Sequence, residues 1–188
     1  GLGIYYYVSG SRFEGEYKNG KPNGYGVEDY NYGGIYEGEW QNGAKNGKGA
    51  YYFSSGNVYR GEYRLNKKHG YGIYFHFTGE KYEGEFNNGM RVGFGIFYSS
   101  NGSRYEGEFK NDYSNGVGVQ YEKDGSRYEG DIVNDHRHGY GVYYALSGEK
   151  YEGEWEEDKK HGLGTYFYSN GDRYEGEWKE DHPHGYGV

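Results

Sequence analysis

The chain has 188 residues, of which 38 are glycine and the aromatic residues are 28 Tyr, 9 Phe and 3 Trp. Such a composition leaves too few aliphatic side chains for a Leu/Ile/Val core, yet it is too aromatic for a disordered chain. The absence of cysteine excludes disulfides and thiolate chemistry, and the formal net charge of −8 disfavours nucleic acid as a partner.

The sequence is a tandem array with a period of 23 residues. It opens inside a partial repeat, residues 1–12, so we expect it to be part of a longer chain. Counted from each leading aromatic residue, glycine recurs at repeat positions 3, 12, 14 and 21 with no insertion or deletion. This regularity predicts a repeat protein in which each repeat contacts chiefly its neighbours. Eight repeats cover residues 13–188 and start at Phe13, Tyr36, Tyr59, Tyr82, Tyr105, Tyr128, Tyr151 and Tyr174.

Each repeat is predicted to form a β-hairpin. Alternation with a period of two in residues 82–86 (Tyr-Glu-Gly-Glu-Phe) places ring, glycine and ring on one side and both carboxylates on the other. Residues 70–75 alternate in the same way. Between these segments repeat position 8 is always Gly, Asn or Asp, the residues that best tolerate positive φ. The predicted fold is therefore all-β, an elongated single-layer twisted ribbon or solenoid of hairpin repeats without an internal domain boundary.

The glycines inside the predicted strands require a packing reason, because glycine normally weakens a strand. We predict that a ring from one strand lies over the bare backbone of its neighbour, where a Cβ would collide. Ladders of rings on glycines would then replace the missing aliphatic core.

The repeat resembles the MORN (membrane occupation and recognition nexus) repeat. Residues 151–155 (Tyr-Glu-Gly-Glu-Trp) followed by 161–164 (His-Gly-Leu-Gly) are a near-ideal copy, and the resemblance covers the whole chain. Two repeats depart from it, since one has Arg60 at position 2 and another has Ile132 in place of its second ring. The resemblance implies an elongated β-ribbon and a non-enzymatic scaffold in the cytoplasm, at the cytoskeleton and membrane periphery. A chain of repeats alone, rich in Asn, Lys and Tyr, resembles the family's scaffolds at the division ring and basal end of apicomplexan cells, which implies self-association at the inner membrane complex and a role in cell division.

A row of carboxylates occupies repeat position 4. Catalysis needs one differentiated site, whereas this row is repeated eight times. We interpret it as a solvated or backbone-bonded acidic edge, with no catalytic residue and no required cofactor. Its members are Glu16, Glu39, Glu62, Glu85, Glu108, Asp131, Glu154 and Glu177.

Self-association through the C-terminal repeats is the expected mode of assembly. A one-layer ribbon cannot bury both of its faces, and Tyr-rich patches suit protein interfaces. We expect a homodimer, with further scaffold or cytoskeletal proteins as partners and only weak or indirect membrane contact. The candidate interface residues are Tyr143, Tyr144, Tyr166, Phe167 and Tyr186. If exposed, the first four would form an apolar face, and packing against neighbouring hairpins is the alternative for each ring.

A membrane tether is the alternative function. Anionic lipids are recognised by clustered Lys and Arg. Residues 1–104 contain 12 Lys/Arg and 10 Asp/Glu, whereas residues 105–188 contain 9 and 19. Only the repeat at residues 59–81 is basic, so a phosphoinositide-binding patch would consist of Arg60, Arg64, Lys67 and Lys68.

Histidines in two hairpin turns suggest a metal site. Asp-His-x-His offers nitrogen and oxygen ligands within one loop, and two loops from two chains would complete a tetrahedral zinc site. The preferred set is Asp181, His182 and His184, and the second set is His136 and His138. Simple hydrogen bonding in the turn remains the alternative.

Overall fold

The computed structural model describes residues 1–188, which form β-strands joined by turns. It contains no helix that could cross a membrane. The chain divides into two compact units, residues 1–93 and 94–188. The all-β fold of hairpin repeats predicted from the sequence is confirmed.

Within each unit the strands pair antiparallel in chain order. The strands of the first unit are β1 (Leu2–Tyr6), β2 (Arg12–Lys18), β3 (Lys21–Asp29), β4 (Ile35–Gln41), β5 (Ala44–Tyr52), β6 (Val58–Arg64), β7 (Lys67–Phe75) and β8 (Lys81–Asn87). The division falls within β9 (Met90–Tyr98). The strands of the second unit are β10 (Arg104–Lys110), β11 (Tyr113–Tyr121), β12 (Arg127–Val133), β13 (His136–Tyr144), β14 (Lys150–Glu156), β15 (Lys159–Phe167), β16 (Arg173–Lys179) and β17 (His182–Gly187).

The hairpin turns use two consecutive residues with positive φ. In the turn between β4 and β5 these are Asn42 at 51° and Gly43 at 85°. This pair has the type I′ geometry, which matches the twist of the flanking strands. Repeat position 8 has the positive φ predicted for it, but position 7 shares that conformation, and there Leu65 and Glu157 adopt φ values of 48° and 49°. Position 7 is asparagine in five of the eight repeats, a sign of positive φ that the prediction did not use.

The core of each unit is a ladder of aromatic rings that meet edge to face. Tyr36 is fully buried, and its ring centroid lies 5.2 Å from that of Trp40 at 87° and 5.1 Å from that of Tyr63 at 84°. Its hydroxyl donates to the carbonyl oxygen of Glu39 at 3.0 Å, so burial leaves no unpaired polar atom. Edge-to-face rings at this distance add to the stabilisation that comes from their buried area.

The strand glycines make room for these rings. A Cβ on Gly164 would lie 2.4 Å from Oη of Tyr151, and a Cβ on Gly153 would lie 2.5 Å from the Cα of Gly164. Both distances are far below van der Waals contact. The prediction that rings lie over bare backbone is confirmed.

Candidate interaction surfaces

Each unit has two chemically different sheet faces. Repeat positions 1, 5 and 16 point to what we call the ring face, as Tyr151, Trp155 and Tyr166 do. Positions 2, 13 and 17 point the opposite way, to what we call the open face, as Glu152 and Leu163 do. Because side chains alternate along a strand, the repeat sequence assigns every strand residue to one of these faces.

Cations at repeat position 10 cover the ring face. The Nζ atom of Lys160 lies 4.7 Å from the ring centroid of Tyr166 and 5.0 Å from that of Trp178. Lys45 is placed in the same way, 4.5 Å from the Tyr51 ring. Burial lowers the pKa of Lys45 to about 8, and the carboxylate of Glu28 opposes this shift only in part. In the repeats with a cation at position 10, the ring face is therefore covered by the chain's own ammonium and guanidinium groups through cation–π contacts.

The acidic row at position 4 holds the backbone. The register of β14 and β15 shifts between Gly153 and Glu154, forming a β-bulge, and Gly162 in the bulge has a φ of 55°. The carboxylate of Glu154 accepts the backbone N–H of Leu163 at 3.1 Å. Equivalent bonds follow in other repeats, from Tyr25 N to Glu16, Lys48 N to Glu39 and Tyr140 N to Asp131. The interpretation of the row as a backbone-bonded edge is confirmed.

A row of exposed apolar side chains runs across the open face of the second unit. Val117, Tyr140 and Leu163 occupy repeat position 13 and are 62%, 59% and 63% exposed. This row was not among the surfaces predicted from the sequence. Residue type could have indicated it, because position 13 is apolar or aromatic in every repeat except the one with Lys48. Exposed apolar rows rimmed by polar residues mark sites of interaction.

Acidic side chains border this row. Glu152, at repeat position 2, pairs with Nζ of Lys150 at 2.6 Å, and the same Nζ lies 4.3 Å from the ring centroid of Phe167. Glu175 occupies the equivalent position in the next repeat and is exposed. Between the apolar and acidic rows lies a groove of about 580 Å³ whose floor is the strand backbone at Gly164 and Gly176.

The five candidate interface residues do not form one face. Tyr143 and Tyr166 are half-buried on the ring face, beneath Arg137 and Lys160 respectively. Tyr144 and Phe167 are the next residues along their strands, so they point to the open face, where Tyr186 is also located and 89% exposed. The expectation of a single apolar face is wrong because adjacent strand residues point to opposite sides of a sheet.

The basic residues of the third repeat also divide between the faces. Arg60, Arg64 and Lys67 are exposed and share the open face. Lys68 is half-buried on the ring face, where its Nζ lies 4.5 Å from the Tyr74 ring centroid and 5.2 Å from that of Phe86. A lipid-binding cluster on this repeat would consist of three cations, not four.

The histidine turns are held by hydrogen bonds between neighbouring hairpins. The carboxylate of Asp181 accepts the backbone N–H of Lys160 at 3.0 Å. His136 Nδ1 lies 2.6 Å from Oδ2 of Asp158, and this hydrogen bond raises the pKa of His136. No three His, Cys, Asp or Glu side chains of the chain come close enough together to hold a metal ion. A zinc site shared by two chains through His136 and His138, or through His182 and His184, stays a prediction.

Comparison with known proteins gives one family and one fold. The MORN repeat family model matches residues 1–12, 13–34, 36–58, 59–80, 82–104, 105–127, 128–148, 151–173 and 174–188. No curated protein matches the chain in sequence. The TCP10 domain of Danio rerio CPAP, solved in complex with a peptide of Danio rerio STIL, is 10% identical with a TM-score of 0.56, and the match covers 94% of this chain and 79% of that one. The SAS-4 (dCPAP) TCP domain of Drosophila melanogaster, solved with a proline-rich motif of Ana2 (dSTIL), is 10% identical with a TM-score of 0.49, covering 92% of this chain and 86% of that one.

Proposed function

The chain belongs to the MORN-repeat family, and on that premise we propose that it is a non-enzymatic scaffold that binds other proteins. The observation that carries the proposal is the open face of the second unit, where apolar side chains recur once per repeat and remain more than half exposed. A regular array of this kind offers many equivalent contacts, which suits assembly. The TCP10 domain of CPAP, which shares the fold, was solved with a peptide of another protein, and this supports a protein-binding use of such a sheet.

Self-association is the finer part of this proposal. The chain forms a homodimer through its C-terminal repeats and organises a membrane-associated cytoskeletal assembly, including one used in cell division. Tyr144, Phe167 and Tyr186 are the interface residues, because they share the open face. Tyr143 and Tyr166 support the sheet from the ring face instead.

Light scattering at increasing protein concentration tests the dimer. We expect the mass to rise from one chain to two, and Phe167→Asp to prevent that rise by placing a carboxylate in the interface. Phe75→Asp is the matched control, because Phe75 occupies the same repeat position in the first unit and should not affect assembly. A mass that stays at one chain up to the solubility limit would rule out self-association.

A phosphoinositide-binding tether is the second candidate function. It is favoured by one observation, that Arg60, Arg64 and Lys67 are exposed together on the open face of the first unit. Co-sedimentation with phosphoinositide vesicles across a range of salt concentrations separates the two functions. Strong, salt-sensitive binding that is lost in Arg60→Glu favours the tether. If the chain sediments equally with and without vesicles, the tether is excluded and only the scaffold function is supported.

A further inference from the structure

The groove on the open face of the second unit has an apolar wall and an acidic wall. Tyr140, Leu163 and Tyr186 form the apolar wall, and all three are more than half exposed. Glu152 and Glu175 stand on the opposite wall, one carboxylate per repeat, and Thr165 lies between them. The floor between the two walls is the strand backbone at Gly153, Gly164 and Gly176. A ligand lying in this groove would run across the strands and meet the same two chemical groups in each repeat.

Hydroxyl groups at repeat position 13 span the corresponding gap in two repeats of the first unit. In the first unit, Oη of Tyr25 donates to Oε1 of Glu37 at 2.7 Å, and Oη of Tyr71 donates to Glu83 at 2.9 Å. Those bonds join the two rows over the groove. Leu163 has no hydroxyl with which to reach the neighbouring acidic row. Glu175 is exposed and lines the groove.

The spacing of the walls selects among peptide conformations. Each repeat contributes two strands, so the pattern recurs about every 9.4–9.8 Å. A polyproline II helix has three residues per turn and rises about 9.3 Å per turn, so every third residue meets the same wall in successive repeats. An α-helix advances about 10.5 Å in seven residues and falls out of step by about 1 Å in each repeat.

The negative charge of the second unit favours a ligand with basic side chains. Residues 105–188 contain 9 Lys/Arg against 19 Asp/Glu, so this unit attracts a basic partner. Proline rings pack well between exposed aromatic side chains, and aromatic-lined grooves bind preformed polyproline II segments at low entropic cost. One cation per three residues would face the groove carboxylates, Glu175 and Glu152, and at Glu152 it would share the carboxylate with Lys150.

Building on the scaffold function proposed above, we propose that this groove binds a polyproline II segment in which proline and a Lys or Arg recur every third residue. Proline contacts Tyr140, Leu163 and Tyr186, and the cations pair with Glu152 and Glu175. The partner is thus a basic, proline-rich stretch of another protein.

Calorimetric titration with a synthetic peptide of repeated Pro-Pro-Arg triplets tests this proposal. We expect saturable binding that weakens as salt is raised. A peptide of Pro-Pro-Glu triplets keeps the conformation with the opposite charge, and one of Gly-Gly-Arg triplets keeps the charge without the conformation. Both should bind at least tenfold more weakly. Equal binding of Gly-Gly-Arg, or tighter binding of a basic amphipathic helix, would overturn the polyproline II assignment.

Two variants locate the binding site. Leu163→Thr removes the apolar contact while keeping a good strand residue, and should weaken the Pro-Pro-Arg peptide about tenfold, as central apolar contacts do. Glu175→Lys should weaken it at least as much, with the difference shrinking at high salt. Leu146→Thr is the matched control, because Leu146 is 73% exposed in a turn outside the groove, and should change nothing.

The result separates this proposal from the scaffold function. If the peptide fails to bind the monomeric Phe167→Asp variant, in which no second chain can cover Tyr186, while light scattering shows that the wild-type chain dimerises, the groove assignment falls and the scaffold stands. If neither peptide binding nor self-association occurs, both proposals lose their support. Binding that Leu163→Thr and Glu175→Lys leave unchanged places the peptide elsewhere and overturns the assignment.

Discussion

Gly164 lies against the hydroxyl end of Tyr151, where a Cβ on the glycine would be 2.4 Å from Oη and 2.6 Å from Cε2. The ring cannot withdraw, because Tyr151 is fully buried and its hydroxyl is fixed to the carbonyl oxygen of Glu154 at 3.0 Å. The close approach of ring and main chain is therefore a constraint that the rest of the repeat must satisfy.

The first prediction follows from this constraint. Gly164→Ala should lower the free energy of unfolding by about 2–3 kcal/mol, because the added methyl group overpacks a buried ring. Gly3→Ala is the control at the same repeat position, since its Cβ would meet only Cδ2 and Cε2 of Tyr17, at ordinary distances of 3.5 and 3.6 Å. Urea unfolding followed by tryptophan fluorescence measures both. Equal stability of the two variants would contradict the packing role of the glycines.

The second prediction concerns the bulge carboxylate. Glu154→Ala removes the acceptor for the backbone N–H of Leu163 and should cost about 1–2 kcal/mol of unfolding free energy. Glu156→Ala removes a carboxylate whose only ionic contact is exposed, at 3.4 Å from His161 Nδ1, and should change stability by less than about 0.5 kcal/mol. Amide hydrogen exchange at Leu163 gives an independent readout, and an unchanged rate in Glu154→Ala would argue against the bond.

The third prediction uses the strained turn residue Leu65. A leucine with a φ of 48° is destabilised by steric repulsion in the left-handed conformation, which asparagine tolerates better. Leu65→Asn should therefore raise the free energy of unfolding by about 1 kcal/mol. Leu146→Asn changes an equally exposed leucine whose φ is not positive, and should give no gain. A thermal midpoint that rises equally in both variants would point to surface polarity as the cause.

The fourth prediction concerns Lys45 and pH. Burial lowers the pKa of Lys45 to about 8 in the folded chain, below its usual value of 10.5. The folded state thus binds fewer protons than the unfolded state between these values, so this residue makes stability rise with pH over that window. Lys45→Met keeps the apolar stem over the rings without the charge. Its thermal midpoint should exceed that of the wild type more at pH 7 than at pH 9.5, and a constant difference would show that Lys45 stays protonated throughout.

Much of the fold was predictable from the sequence because repetition removes ambiguity. Eight copies of one alternation assign Tyr151 and Glu152 to opposite faces, and a glycine at every position 14 indicates close approach of a ring. The same alternation, applied to Tyr143 and Tyr144, separates them, so that error came from grouping neighbours by residue type alone.

Other features depend on three-dimensional contacts that a single repeat does not display. The cations at position 10 lie over rings from their own repeat and the following one, as Lys160 does with Tyr151 and Trp178. Their cation–π role is visible only once the register is known. The positive φ at Leu65 escaped notice for a related reason, since turn geometry overrides residue preference there.

The edge-to-face contacts of Tyr151 have a consequence for how such proteins change over time. Its ring meets Trp155 at 5.3 Å and Trp178 of the next repeat at 5.2 Å, so the joint between consecutive copies is nearly the same as the contact inside one copy. Unequal crossing-over that removes or duplicates one 23-residue block, such as 128–150, would splice a leading ring onto an equivalent neighbour. The length of the protein can therefore evolve by whole repeats. A deletion of any other size within a strand would shift every later ring out of register with the glycine it packs against.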